Sequence, residues 1–154
     1  MAGKKYVVFK LGEQIYSMDL LLVKGIEQSY NIIPIPIGPE NIKGIINLRG
    51  DVIPVFSLRS KFNMDENFDG DTRKLLVTFT HGIQLAFEVD AVVGIKLVDE
   101  KDINDIPVVV KTQETVYMDN ILNIGDGIII NISVENIISK SEIDHLSEII
   151  DDSN

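Results

Sequence analysis

Arg49 is the residue whose type and setting most suggest recognition chemistry. It is one of only three arginines in the chain, with Arg59 and Arg73. It stands in Asn47-Leu48-Arg49-Gly50-Asp51, a polar turn between two apolar runs. A guanidinium donates in pairs from a planar fork, so it suits a carboxylate or backbone carbonyls on a partner. Ile42, Ile45, Ile46 and Leu48 precede the turn, and Val52, Ile53, Val55 and Phe56 follow it. Two β-prone runs about a glycine-containing turn predict a hairpin with Arg49 at its tip. A solvated turn residue is the alternative, since surface arginine is common.

The remaining constellations point away from catalysis. Asp65-Glu66-Asn67-Phe68-Asp69-Gly70-Asp71 fits the first half of a calcium loop, with oxygen ligands at alternate positions and then glycine. The ninth position is Arg73, however, and the twelfth, where a bidentate glutamate belongs, is Leu76. An acidic surface loop is the better reading, with a small metal-binding barrel as the alternative from another class. His81 and His145 have no His or Cys neighbour at ligand spacing and read as solvated. Gly125-Asp126-Gly127 is too short for a phosphate loop and reads as a hairpin turn. Glu88 and Asp90 share one strand face, and a pair at the surface end of the strand is expected rather than an acid–base couple.

The elements that would position Arg49 are mostly strands. Lys5–Leu11 and Gln14–Met18 read as a hairpin about Gly12-Glu13. Asp19 can cap a short helical turn over Leu20–Val23. Lys24–Tyr30 reads as a further strand. Pro34, Pro36 and Pro39 make the next segment an edge strand or extended crossover through Ile33, Ile35 and Ile37. After the polar loop 63–72, Lys74–Thr80 and Ile83–Val89 form a hairpin about His81-Gly82. Ala91–Val98 is another strand, Asp99–Asp105 is loop-like, and Ile106–Val110 is extended. Val116–Ile124 and Gly127–Ile132 form the last hairpin. Ser133 can cap a short helix through Val134, Ile137 and Ile138. Ser139-x-x-Glu142 is a capping box, and Ile143, Leu146, Ile149 and Ile150 share one helical face. The tail from Asp151 to Asn154 reads as frayed. Many short strands with little helix predict an all-β barrel or sandwich. The loop at 63–72 divides the strands into two similar groups, which suggests two small barrels.

Composition agrees with a binding module. Of 154 residues, 45% are hydrophobic but only 6% aromatic, so the core is built from Ile, Val and Leu. A net charge of −10 without clustered Lys and Arg excludes phosphate-backbone binding and disfavours an anionic membrane surface. With no cysteine, disulfides and thiolate zinc sites are excluded. No stretch has the length of a membrane helix or signal peptide. A cytoplasmic protein is expected.

The stretch Ile42-Lys43-Gly44-Ile45-Ile46-Asn47-Leu48-Arg49-Gly50-Asp51-Val52-Ile53-Pro54-Val55, followed by Leu58-Arg59-Ser60-Lys61-Phe62, resembles the signature of the CheW family of bacterial chemotaxis coupling proteins. Met18–Val23, Ile33–Pro36, Leu85–Ile95, the segment opened by Tyr117, and Val134–Ile138 extend the likeness over nearly the whole chain. The resemblance implies a mainly β fold of two five-stranded barrel subdomains (SH3/OB-like) packed together, with a C-terminal helix over 139–150. It implies a single domain over 3–140, with subdomain 1 at 12–72 and subdomain 2 at 73–134 joined by the strand 5–11. It also implies a non-catalytic adaptor, without cofactor or metal, that bridges chemoreceptor cytoplasmic tips to the regulatory domain of the histidine kinase CheA. Such a protein would be monomeric when free and recruited to receptor arrays.

Onto this chain the family's receptor groove maps to Arg49, Gly44, Val23, Ile26 and Ile95, with Asn47, Leu48 and Gly50 as the structural turn. A receptor tip is a helical hairpin, so helix-in-groove binding is implied. The kinase contact is expected in the half before residue 63. The family's groove glutamate falls at Gly25, with Glu27 as its substitute, and its usual aspartate before Leu-Arg is Ser57. Asn120-Ile121-Leu122 replaces a Gly-Ile-Gly, and Ser133 replaces a further aspartate. Because the chain begins with Met and ends soon after the closing helix, a stand-alone adaptor is expected rather than the CheW-like domain of CheV or CheA. A CheW-like scaffold of a different signalling system is the alternative.

Overall fold

A computed structural model describes residues 3–35, 41–66, 72–125 and 127–153, with side chains of the last helix described through Ser147. Among the described residues eleven strands form two sheets. β1 (Gly3–Leu11) and β2 (Gln14–Asp19) form the first hairpin. β3 (Val23–Glu27), β4 (Ile42–Leu48), β5 (Asp51–Ser57), β6 (Lys74–Thr80) and β7 (Ile83–Val89) follow, with a four-residue helix α1 (Leu58–Lys61) after β5. β8 (Ala91–Asp99), β9 (Ile103–Asn104), β10 (Met118–Ile124), β11 (Gly127–Ile132) and α2 (Lys140–Ser153) complete the chain. One sheet runs β3-β6-β7-β5-β4 and the other β8-β1-β2-β11-β10-β9. The second has six strands rather than five because the two-residue β9 pairs with Ile121 and Leu122.

The sheets do not part at the 63–72 loop. β6 and β7 remain with β3–β5, while β2 pairs with β1 in the other sheet. The crossings lie at Leu20–Leu22 and between Val89 and Ala91. The reason is pairing: β7 lies parallel to β5, and β8 pairs along almost the whole of β1.

Strand alternation gives the molecule three cores. Tyr6 and Val8 of β1 point into a cluster with Val98, Leu122 and Ile129. Val7, Phe9 and Leu11 of the same strand join Met18, Phe56, Leu76, Phe87, Ile132 and Leu146 in a core between the sheets. Ile53, Val55, Leu75, Val77 and Ala86 fill the inner face of the five-stranded sheet. Successive side chains point to opposite faces, so a strand buried on both sides reads as a continuous apolar run.

Local signals behave as their chemistry requires. Asp19 accepts from the Leu21 amide and caps the 3-10 turn Leu20–Leu22. Ser139 and Glu142 cap α2 reciprocally, at 2.8 and 3.2 Å. Ser133 caps only one turn, in which the Ile137 amide bonds the Ser133 carbonyl. Val108–Val110 is a 3-10 turn opened by Pro107, not extended backbone, because the Val110 amide closes on the Pro107 carbonyl at 2.9 Å. α2 runs through Ser153, past the expected fraying at Asp151. Pro36, Ile37, Pro39, Asn67–Asp71, Asp126 and Asn154, and the side chains of Ile149 and Ile150, lie outside the described residues.

Glu88 and Asp90 are not a surface pair. They are only 8% and 3% exposed. Glu88 accepts from Tyr30, Lys43 and Arg73. Asp90 lies at the crossing between β7 and β8 and accepts from Arg59 and the Gly12 amide. Its own amide bonds the Lys10 carbonyl, and its carbonyl accepts from Thr72. Burial pushes the Asp90 carboxyl up, but the hydrogen bonds and charge of Arg59 outweigh it and hold it below the usual aspartate value. These partners come from distant segments, so the sequence around Glu88 and Asp90 does not reveal them.

Candidate functional site

The β4–β5 hairpin closes with Leu48 opposite Asp51 and a two-residue loop. Both loop residues are left-handed, Arg49 at φ 53° and Gly50 at φ 91°. Positive φ at both positions gives the twist that a two-residue hairpin loop favours. Asn47 accepts from the Gly50 amide at 3.1 Å, and Leu48 packs against the inner core of the sheet. Asn47, Leu48 and Gly50 thus build the turn that presents Arg49.

The Arg49 side chain is 79% exposed, and its Nη2 lies 3.7 Å from Glu27 Oε1. Glu27 ends β3. β3 and β4 are opposite edges of one sheet, so this contact brings the two edges together. An antiparallel bridge between Ile33 and Ile45 does the same a few residues away.

Register places the apolar candidates. Ile26 pairs with Leu76, whose side chain is in the core between the sheets, so Ile26 points to that side. Ile95 pairs with Val7, also a member of that core. Both isoleucines remain exposed, at 41% and 56%. Val23 is half-buried against the same core. Ile26 and Ile95 therefore stand on edge strands of different sheets, both turned to one seam. The Leu20–Leu22 turn, with Leu21 exposed, links the sheets there. Glu27, the residue next to Ile26, pairs with Leu75 of the other core, so it points to the opposite face of β3, and Arg49 meets the end of that strand there.

Gly44 packs closely against a neighbouring segment. It is buried, and a Cβ added to it would stand 2.3 Å from the Ile33 carbonyl oxygen. Its role is to let the Ile33 segment approach β4. Hydrophobicity and spacing gave no sign of this; only the pairing of Ile33 with Ile45 does.

Sequence reasoning also missed a second apolar surface. Val108 and Val109 are 81% and 92% exposed, with Val116 exposed nearby in sequence. The sequence reads these valines only as extended backbone, which does not say which of them are covered.

Among the described residues no group of three or more His, Asp or Glu side chains could hold a metal. Asp65 and Glu66 serve structure: the Asp65 carbonyl accepts from Arg59, and Glu66 pairs with Ser57 and Lys43. His81, at φ 53° in the β6–β7 turn, bonds the Glu135 carbonyl, and His145 bonds the Ser141 carbonyl one turn back. Among the described residues no helix is long and apolar enough to cross a membrane.

Comparison with known proteins agrees with this geometry. A family model described as CheW-like domain matches residues 5–142. The chain is 25% identical over 147 residues to the chemotaxis protein CheW of Treponema pallidum, covering 93% of this chain and 86% of that one. It is 30% identical over 143 residues to the chemotaxis protein CheW of Helicobacter pylori, covering 88% and 82%. The crystal structure of the scaffolding protein TtCheW from Thermoanaerobacter tengcongensis superposes with a TM-score of 0.83 at 32% identity, covering 92% of this chain and 96% of that one. With its two packed sheets, closing helix and signature hairpin, this chain belongs to the CheW-like domain family.

Proposed function

We propose that this protein is a non-catalytic chemotaxis adaptor that couples the cytoplasmic tips of chemoreceptors to the regulatory domain of the histidine kinase CheA. The observation that carries the reading is the seam: Ile26 and Ile95 are exposed on edge strands of the two sheets, both on the side of the core the sheets share, and Arg49 is exposed at the hairpin tip near the end of β3. A helix laid along the seam covers the two isoleucines, and Arg49 fixes its orientation by donating to carboxylates or carbonyls. Residues 3–140 act as one unit, because the core between the sheets draws on β1, β2, β5, β6, β7 and β11 alike.

An adaptor needs two separate faces. The turn Val108–Val110 supplies the second, since it exposes apolar side chains on the far edge of the six-stranded sheet. In this reading the kinase regulatory domain docks there, rather than in the half before residue 63 where the sequence reading expects it. The protein works in the cytoplasm, is monomeric when free, and is recruited to receptor arrays.

The test is a binding assay with a purified receptor cytoplasmic fragment and CheA. The expected result is that wild type binds both, Ile95→Asp and Arg49→Ala lose the receptor alone, and Val109→Asp loses the kinase alone. Failure of the folded wild type to bind either partner would move the function to a different signalling scaffold.

A further inference from the structure

A cleft on the α1 side of the molecule is separate from the residues of the seam and from Val108–Val110. It encloses about 570 Å³ and is lined by Tyr16, Phe62, Asn63, Glu114, Tyr117 and Asn136, among others. Its wall is a row of rings: Tyr16 lies 5.5 Å from Phe62, and Phe62 lies 5.0 Å from Tyr117, centroid to centroid. Phe9 backs the row at 6.2 Å from Tyr16.

The cleft's polar groups are not used up by the fold. Among the described residues the Tyr16 and Tyr117 hydroxyls and the Asn63 and Asn136 carboxamides make no hydrogen bond within the protein. Burial pushes both tyrosine hydroxyls up, so they remain neutral donors at physiological pH. Of the charged side chains at the rim, Lys61 is paired with Glu142 at 3.3 Å. Glu114 has no ion-pair partner among the described residues, which leaves its carboxylate as the unpaired charge of the lining.

We infer that this cleft binds an extended, proline-containing peptide segment that carries a basic residue beside the prolines. Aromatic rows accept proline rings because a polyproline II segment is apolar, already extended, and loses little entropy on docking. Such a segment has no internal hydrogen bonds, so its carbonyls are free to accept from tyrosine hydroxyls and asparagine amides. Glu114 then selects a Lys or Arg at the flank. An acidic segment would meet Glu114 with like charge, and a helix would hide the carbonyls that the four polar groups can serve.

The experiment is an amide-detected NMR titration of the full chain with a synthetic peptide, Ala-Pro-Pro-Ala-Pro-Arg, and with two controls. One control replaces every proline by alanine, and the other replaces arginine by glutamate. The expected result is saturable shifts at residues 16, 62, 63, 113–117 and 136, weakened about tenfold by the loss of prolines. The Arg-to-Glu control and Glu114→Lys should each weaken binding at least about threefold. Tyr117→Phe keeps the ring and should also weaken it, while Arg49→Ala should bind as wild type, which separates this cleft from the receptor seam. Absence of saturable shifts at millimolar peptide would overturn the inference. Equal binding of either control peptide, or shifts confined to the seam, would overturn it as well.

Discussion

Arg59 and Asp90 form a two-pronged ion pair across 31 residues, with Nε and Nη2 of Arg59 at 2.8 and 2.6 Å from the two carboxylate oxygens. Both side chains are largely buried, at 12% and 5% exposure. Asp90 marks the crossing from one sheet to the other, and its oxygens also hold the Gly12 amide of the β1–β2 turn. The pair therefore ties α1, the β1–β2 hairpin and the second crossing together. Removing one partner of a buried pair strands the other charge, at a cost of about 3–5 kcal/mol. Arg59→Ala should lower the melting temperature by roughly 6–20 °C for a chain of this size. A melt within two degrees of wild type would show that water replaces the guanidinium without loss.

Stability should fall at acid pH through two carboxyls. Burial pushes Asp90 and Glu142 up, but hydrogen bonds outweigh it and hold both below their ordinary values: Arg59 and Gly12 for Asp90, and Ser139 and Asn41 for Glu142. A carboxyl with a lowered folded-state pKa favours the native state while it is ionised. That contribution is present above the unfolded pKa of about 4 and is lost as pH falls through the lower folded value. Denaturant midpoints should be flat from pH 7 to 5 and drop below pH 4. In Asp90→Asn the drop should be shallower. An equal drop in wild type and variant would assign the acid sensitivity to other groups.

Gly44 predicts a folding defect rather than a binding defect. Its Cβ site is occupied by the Ile33 carbonyl at 2.3 Å and by Ile32 Cγ2 at 2.7 Å. Backbone cannot rotate away as a flexible side chain can. Even Gly44→Ala must open the Ile33–Ile45 bridge, which holds two hydrogen bonds of 2.8 and 2.9 Å. A loss of at least about 2 kcal/mol is expected from strain and two broken bonds, with Gly44→Val worse. An unchanged melt for Gly44→Ala would show that the 32–35 segment is free to move aside.

What could be read from the sequence was whatever depends on near neighbours. The Arg49 hairpin, the Asp19 cap and the Ser139–Glu142 box all rest on residues within four positions of one another. The faces of Ile26 and Ile95 came only from the resemblance, since periodicity cannot say which side of a strand meets another sheet. The sheet assignment of β6–β7 was hidden because it follows from pairing with β5, far away in the chain. Glu88 looked solvated for the same reason: Tyr30, Lys43 and Arg73 reach it across 58, 45 and 15 residues. The Val108–Val110 turn misled by composition, because a run of β-branched residues reads as extended backbone until Pro107 is given its turn-forming weight.

Val109 should separate binding from folding. Its side chain is 92% exposed, so Val109→Asp removes almost no burial and should melt within about 0.5 kcal/mol of wild type. In the proposed reading it should weaken CheA binding at least about tenfold, because a charge would then be buried in an apolar contact. Unchanged kinase affinity would move that contact elsewhere, with the seam reading intact.

Arg49 poses the sharpest test, because its backbone and its side chain predict opposite effects. At φ 53° the residue occupies a conformation that side chains with a Cβ adopt at a cost of about 1–2 kcal/mol and glycine adopts freely. Its ion pair with Glu27, at 3.7 Å on a side chain 79% exposed, contributes little in return. Arg49→Ala keeps the backbone cost, so it should melt close to wild type. Arg49→Gly removes the cost and should melt at or above the alanine variant, even though glycine also loosens the unfolded chain. Both should weaken receptor binding alike, since both remove the guanidinium. Raising salt from 0.05 to about 0.5 M should reduce wild-type affinity only modestly, because screening touches Arg49 but not Ile26 or Ile95. Calorimetry of the two variants against one receptor fragment reads all of this. If Arg49→Gly melts well below Arg49→Ala, the side chain's Cβ supports the turn, and Arg49 is a structural residue rather than a recognition residue.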